Sequence, residues 1–136
     1  MRTRSGVLAS EREVEYLDVE DLLDLAARLL GDACLIRDAG LLGSAAARPR
    51  TVVFGEDAYP DLWTKAAALL QSIVKSQPLV DGNKRLGWLA TATFLELNGI
   101  PASAALNDDV YVLVMDLAAG DQGIEQIATG LQGLFL

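Results

Sequence analysis

Ser76–Asn98 reads S-Q-P-L-V-D-G-N-K-R-L-G-W-L-A-T-A-T-F-L-E-L-N, and the rest of the chain is organised around it. In the second half, Leu86, Leu89, Ala90, Thr93, Phe94 and Leu97 recur at helical spacing and make one apolar stripe. Asn98-Gly99 supplies a left-handed stop and Pro101 prevents the helix from resuming. The first half is a polar loop with Gly82 at the turn and Asn83, Lys84 and Arg85 at the helix entrance. Free backbone N–H groups, the positive end of the helix dipole and two cationic side chains then meet at one point. Such a point binds anions, phosphate above all. Asp81 stands one residue before the glycine, close enough to hold a divalent cation against that phosphate. Local physics alone leaves a plainer reading open, in which Asp81 caps the helix and the two cations are a solvated first turn.

Composition limits what else the chain can be. Its 136 residues predict one domain, and an apolar fraction of 51% with only 6% aromatics predicts an aliphatic, alanine-rich helical core. The balance of 11 Lys+Arg against 19 Asp+Glu gives a net charge of −8, which argues against direct nucleic-acid binding and against an anionic membrane. No apolar run approaches the roughly 20 residues of a membrane span, and M-R-T-R-S-G-V-L-A-S-E-R-E has no signal-peptide apolar core. Cys34 is the single cysteine, so no internal disulfide forms, and a reducing cytoplasm is expected. There is no histidine at all. A histidine base, a Ser–His triad and a His-ligated metal are therefore excluded.

Read in order, residues 1–16 predict a flexible extension and residues 17–136 the folded domain. Asp18, with Asp21 three residues on, predicts a capping box ahead of a helix that ends at Gly31. A short helix from about Asp38 to Arg48 is closed by Pro49. Thr51, Val52, Val53 and Phe54 are the one convincing strand run, and a lone short strand predicts a two-stranded flap. Pro60-Asp61 opens a helix through Lys75. Asn107 is the expected cap of a helix from about Asp108 to Ala119, and a last helix carries Ile124, Ile127, Ala128, Leu131 and Leu134 inward. Trp63 and Trp88 can stack on a nucleobase, but aromatics at helical spacing are more often core. The fold class is all-α with a small β-hairpin flap.

P-L-V-D-G-N-K-R resembles the signature of the Fic/Doc (Fido) family, usually H-P-F-x-D/E-G-N-G/K-R; Lys84 in place of glycine resembles the Doc, or death-on-curing, branch. R-D-A-G-L-L-G-S-A-A-A-R-P, residues 37–49, is similar to a second element of that family. The resemblance departs at Gln77, which stands where the family has its catalytic histidine, and at Leu79, where it has an aromatic residue.

Membership would imply a Fido-type helical bundle. It would also imply transfer of a phosphorus-containing group from ATP, with Mg²⁺, to a protein. In Doc toxins a phosphoryl group goes to a threonine of elongation factor Tu; in Fic proteins AMP is transferred. Gly82, Asn83, Lys84 and Arg85 would hold the phosphates, Asp81 the metal, and Thr51–Phe54 the target polypeptide. An antitoxin with a disordered tail would restrain the toxin. The inhibitory motif (S/T)-x-x-x-E-(G/N) is absent from the sequence. Gln77 has no titratable proton, so it can orient a hydroxyl but not deprotonate it. A general base is worth about 10²–10⁴-fold, so attenuated transfer is expected. Two alternatives remain: an inert Fido-fold protein that binds nucleotide or an antitoxin, and a Fic-type AMP transferase.

Overall fold

The computed structural model describes residues 13–135. Among them run α1 (Val19–Leu30), α2 (Ala39–Ala47), β1 (Val52–Val53), β2 (Glu56–Asp57), α3 (Leu62–Ser76), α4 (Asn83–Leu97), α5 (Asn107–Ala119) and α6 (Ile124–Gly133), with short 3₁₀ turns between several of them. The expected fold class, an all-α bundle with one small hairpin, is what the chain forms.

Helix α3 is the axis of the bundle. Thr64–Leu70 are buried without a break, so this helix is covered on every side, mainly by α4 and α6 with α2 beside them. Alanines at 66, 67 and 68 keep its surface thin. Helix α4 exploits that: a Cβ on Gly87 would stand 2.9 Å from Val74 Cγ2 and 3.2 Å from Leu70 Cδ1, so only glycine allows this approach. Leu86, Ala90, Phe94 and Leu95 then bury the α4 stripe against the core.

Local signals set most helix ends. Asp18 accepts from Asp21 N while Asp21 accepts from Asp18 N, the expected capping box of α1. Asp61 and Thr64 make a second box on α3. At the end of α4, Gly99 takes φ 91° and Ile100 N donates to Leu95 O at 2.9 Å, the expected left-handed stop.

Four expectations are corrected. Residues 13–16 do not belong to a loose extension: Glu15 N and O both hydrogen-bond the Asn98 amide at 2.9 Å, and Tyr16 stacks on Phe94. The rest of the expected extension, residues 1–12, lies outside the described residues. Asp81 does not cap α4; Gly82 is the N-cap and no side chain takes that role. Asn107 is the first residue of α5 rather than its cap, which is Leu106. The strand covers Val52–Val53 only. Thr51 precedes it, and Phe54 with Gly55 makes the turn at φ 52° and 80°. A two-residue hairpin loop needs both central residues left-handed to match strand twist, which removes Phe54 from the ladder.

Candidate functional site

The loop from Gln77 to Gly82 is held by segments remote from it in sequence. Helix α3 ends on Gln77 in the left-handed region, φ 54° and ψ 63°. Arg37 reaches this end and donates from Nε to Gln77 O and from Nη2 to Ser76 O, both at 2.6 Å. A cation here answers the negative end of the α3 dipole. Beyond it, Pro78 O accepts from Arg37 N at 2.8 Å and Asp38 N at 2.9 Å, and Val80 N donates to Leu35 O at 2.9 Å. Leu79 is 1% exposed, filling in the core the place where the family motif has an aromatic ring.

Asn83 closes the loop from the other side. Its Oδ1 accepts from Leu79 N and its Nδ2 donates to Leu79 O, each at 2.9 Å. The expected role of this amide was to meet a phosphate. Here its oxygen and one of its two N–H groups hold the loop instead, so its first effect is to fix the backbone that a ligand would meet.

Gly82 is required twice over. Its φ of 92° disfavours any L side chain, and a Cβ there would stand 2.9 Å from Leu30 Cδ1 and 3.1 Å from Leu30 Cδ2. With glycine at the N-cap, no side chain satisfies the first N–H groups of α4. The exposed side chains of Lys84 and Arg85 stand at the same end.

These residues line one concavity of about 790 Å³. Gln77, Asp81, Gly82, Asn83, Lys84 and Arg85 all border it, so the loop residues singled out from sequence come together. The flap residues Thr51, Val52, Val53 and Phe54 do not border it. Lys75 joins Lys84 and Arg85 as a third cation, and among the described residues Asp81 is the one carboxylate in the lining. A protein of net charge −8 thus concentrates positive charge at this opening. Much of the remaining lining is apolar or aromatic: Trp88 and Ala92 from α4, and Val110, Tyr111 and Met115 from α5. Of the two tryptophans, Trp88 borders this opening, whereas Trp63 stacks on Phe135 with centroids 5.9 Å apart.

The donor set can be tested against ATP and Mg²⁺. Open helix N–H groups, a glycine whose Cβ space is needed and two exposed cations fit a phosphate chain. Among the described residues no group of three or more His, Cys, Asp and Glu stands together. That excludes an all-protein cage there, yet it suits Mg²⁺, which keeps several waters and is held by one or two carboxylates together with substrate phosphates. Asp81 is the carboxylate that the described lining offers.

Sequence reasoning missed Arg37 and the α5 wall. Arg37 opened the second motif, but its target lies 40 residues away and no local pattern marks it. Tyr111 and Met115 carry no local sequence signal that marks them as lining a site.

A family model described as the Fic/DOC family matches residues 16–95. Among curated proteins, Toxin Doc of Mycolicibacterium smegmatis (strain ATCC 700084 / mc(2)155) is 47% identical over 120 residues, covering 88% of this chain and 92% of the relative.

Proposed function

The chain belongs to the Fic/DOC family, and from that premise we propose that it is a Doc-type toxin. Its activity is slow transfer of a phosphoryl group from ATP to a threonine of a protein, with elongation factor Tu the target that the resemblance implies. The observation that carries the reading is the uncapped N-terminus of α4, set beside Asp81, Lys84 and Arg85 in an otherwise acidic protein.

Mg²⁺ bound with ATP would supply positive charge to offset the negative charge that develops on the transferred group. The chain's own residues do the rest. Backbone N–H groups of the first turn of α4 receive phosphate oxygens, Arg85 grips two oxygens with its planar fork, and Lys84 adds a point charge. Asp81 would hold the metal, and Asn83 keeps the loop in shape through Leu79. Gln77 lines the opening with an exposed side chain, where it orients the incoming hydroxyl without taking its proton. Phosphoryl transfer through a loose transition state needs less help from a base than acyl transfer does, so weak activity survives.

The hairpin presents the acceptor polypeptide, its exposed Val52 and Val53 edge open to an added strand. A separate antitoxin with a disordered tail, meeting the toxin in the cytoplasm, is the expected restraint. The Gln77 amide supports a second reading, an inert member that binds nucleotide or antitoxin only. AMP transfer ranks below both, because Trp88 stands where Fic-type motifs carry a further arginine.

Induced expression of the chain and of its Gln77→His variant separates these readings. The unmodified chain should slow growth weakly, and Gln77→His should arrest it with ATP-dependent phosphorylation of elongation factor Tu, lost again on Asp81→Ala. A folded, ATP-binding Gln77→His variant without transfer would favour the inert binder. Full toxicity of the unmodified chain would refute the attenuation.

A further inference from the structure

Burying a cation is costly unless an opposite charge or dipole answers it. Lys65, buried in α3, pairs with Asp57 of β2 at 3.2 Å. Arg37 meets the C-terminal carbonyls of α3, and Lys75 donates to Gly120 O at 2.8 Å, at the end of α5.

Arg48 is different. Its backbone caps α2, but its half-buried side chain reaches away to α3. Nε donates to the Tyr59 hydroxyl at 2.9 Å, and Nη1 donates to Gln71 Oε1 at 2.7 Å and Ser72 Oγ at 3.0 Å. The guanidinium carbon lies 5.5 Å from the Tyr59 ring centroid. Every one of these partners is neutral. Among the described residues no carboxylate stands within ion-pair distance of Arg48, and Nη2 has no partner.

The same side chain lines a second cavity of about 850 Å³, bordered also by Ser44, Thr51, Ser72, Lys75 and Asp121. Thr51 leads into β1, and Lys75 borders both this cavity and the opening beside Gln77. The cavity therefore connects the base of the hairpin to the start of the motif loop.

We propose that this cavity is an anion subsite that receives a carboxylate side chain of a polypeptide engaged at the hairpin, with Arg48 as its principal donor. Tyr59 holds Nε, and Gln71 and Ser72 hold Nη1, so the guanidinium is fixed in place and Nη2 is left as a preorganised donor to one carboxylate oxygen. Asp121 on the rim disfavours a phosphate dianion more than it disfavours a single charge. The proposal rests on the preceding reading only in taking the acceptor to be a polypeptide.

The test is a binding measurement that needs neither ATP nor transfer. A blocked heptapeptide of Thr and Val with one central Glu, its Gln counterpart and inorganic phosphate are each titrated against the full chain. Binding is followed by the side-chain N–H resonances of Arg48 and Gln71. The Glu peptide should shift these resonances, and the Gln peptide should bind about tenfold more weakly, the size of one charge-assisted contact. Arg48→Gln should abolish that preference; if it does not fold, Arg48→Lys should reduce it several-fold, since an ammonium cannot hold Tyr59, Gln71 and Ser72 together and still present a fixed N–H to the ligand. Equal binding of the two peptides, an unchanged preference in a folded Arg48 variant, or a response to inorganic phosphate alone overturns the proposal. Any of these leaves the ATP site and the transfer reading standing.

Discussion

Helices α3 and α4 are each 15 residues long and pack against one another, yet they begin in opposite ways. Helix α3 opens on Asp61, whose carboxylate accepts from Thr64 N at 2.8 Å while Thr64 Oγ1 accepts from Asp61 N. Its free N–H groups are answered from within. Helix α4 opens on Gly82, with no side-chain cap, in a concavity lined by cations. Their other ends reverse the contrast. Helix α3 terminates on a left-handed glutamine held from outside by Arg37, and α4 on an ordinary glycine stop. The C-terminus of α3 and the N-terminus of α4 meet in one loop, and both are held by partners that the self-capped ends do not need. A helix end left open to solvent in this way is available to a ligand; one that caps itself is not.

The comparison breaks most visibly at Gly82. Gly82→Ala forces a Cβ against Leu30 and a strained φ, so about 2–4 kcal/mol of stability should be lost. ATP binding should vanish with it. Thermal melting and calorimetric titration read the two effects, and a Gly82→Ala variant that binds ATP normally would remove the open helix end from the proposed site. Asn83→Ala comes next. It strands Leu79 N and O, at a cost of about 1–3 kcal/mol, and should loosen ATP binding through the loop rather than through a lost contact.

Arg85→Ala isolates the ligand from the fold. Its side chain is exposed, so melting should hardly move while ATP affinity falls roughly tenfold or more. Equal affinity in the variant and the parent would sink the phosphate reading. The smallest expected effect lies at the self-capped end. Asp61→Ala should cost about 1 kcal/mol, with ATP affinity unchanged. If Asp61→Ala weakened ATP binding as much as Arg85→Ala, the division between structural and functional helix ends would fail.

A second comparison concerns the two non-glycine residues that take left-handed backbone among the described residues, Phe54 and Gln77. Neither conformation was legible in the sequence, where Phe54 read as strand and Gln77 as loop. At Phe54 the two-residue turn of the hairpin overrides the residue's own preference for extended backbone. At Gln77 the chain must leave α3 and run antiparallel to Leu35–Arg37, where Pro78 and Val80 find their backbone partners. Both are tertiary demands imposed on residues that would not choose them.

What the sequence by itself determined is whatever acts within a few positions. The α1 cap by Asp18 and Asp21, the stop at Gly99, the apolar stripe of α4 and the glycine turn before Asn83 all follow from interactions spanning one or two helical turns, so local pattern suffices. The helical fold class followed from the same periodicities. Tertiary structure alone decided which of these features share a site. It turned Trp88 toward the opening and Trp63 toward Phe135, joined Arg37 to Gln77 across 40 residues and left Arg48 without an anionic partner among the described residues. The reason is that burial and pairing depend on which distant surfaces meet, and that is fixed only when α3 is enclosed by its neighbours.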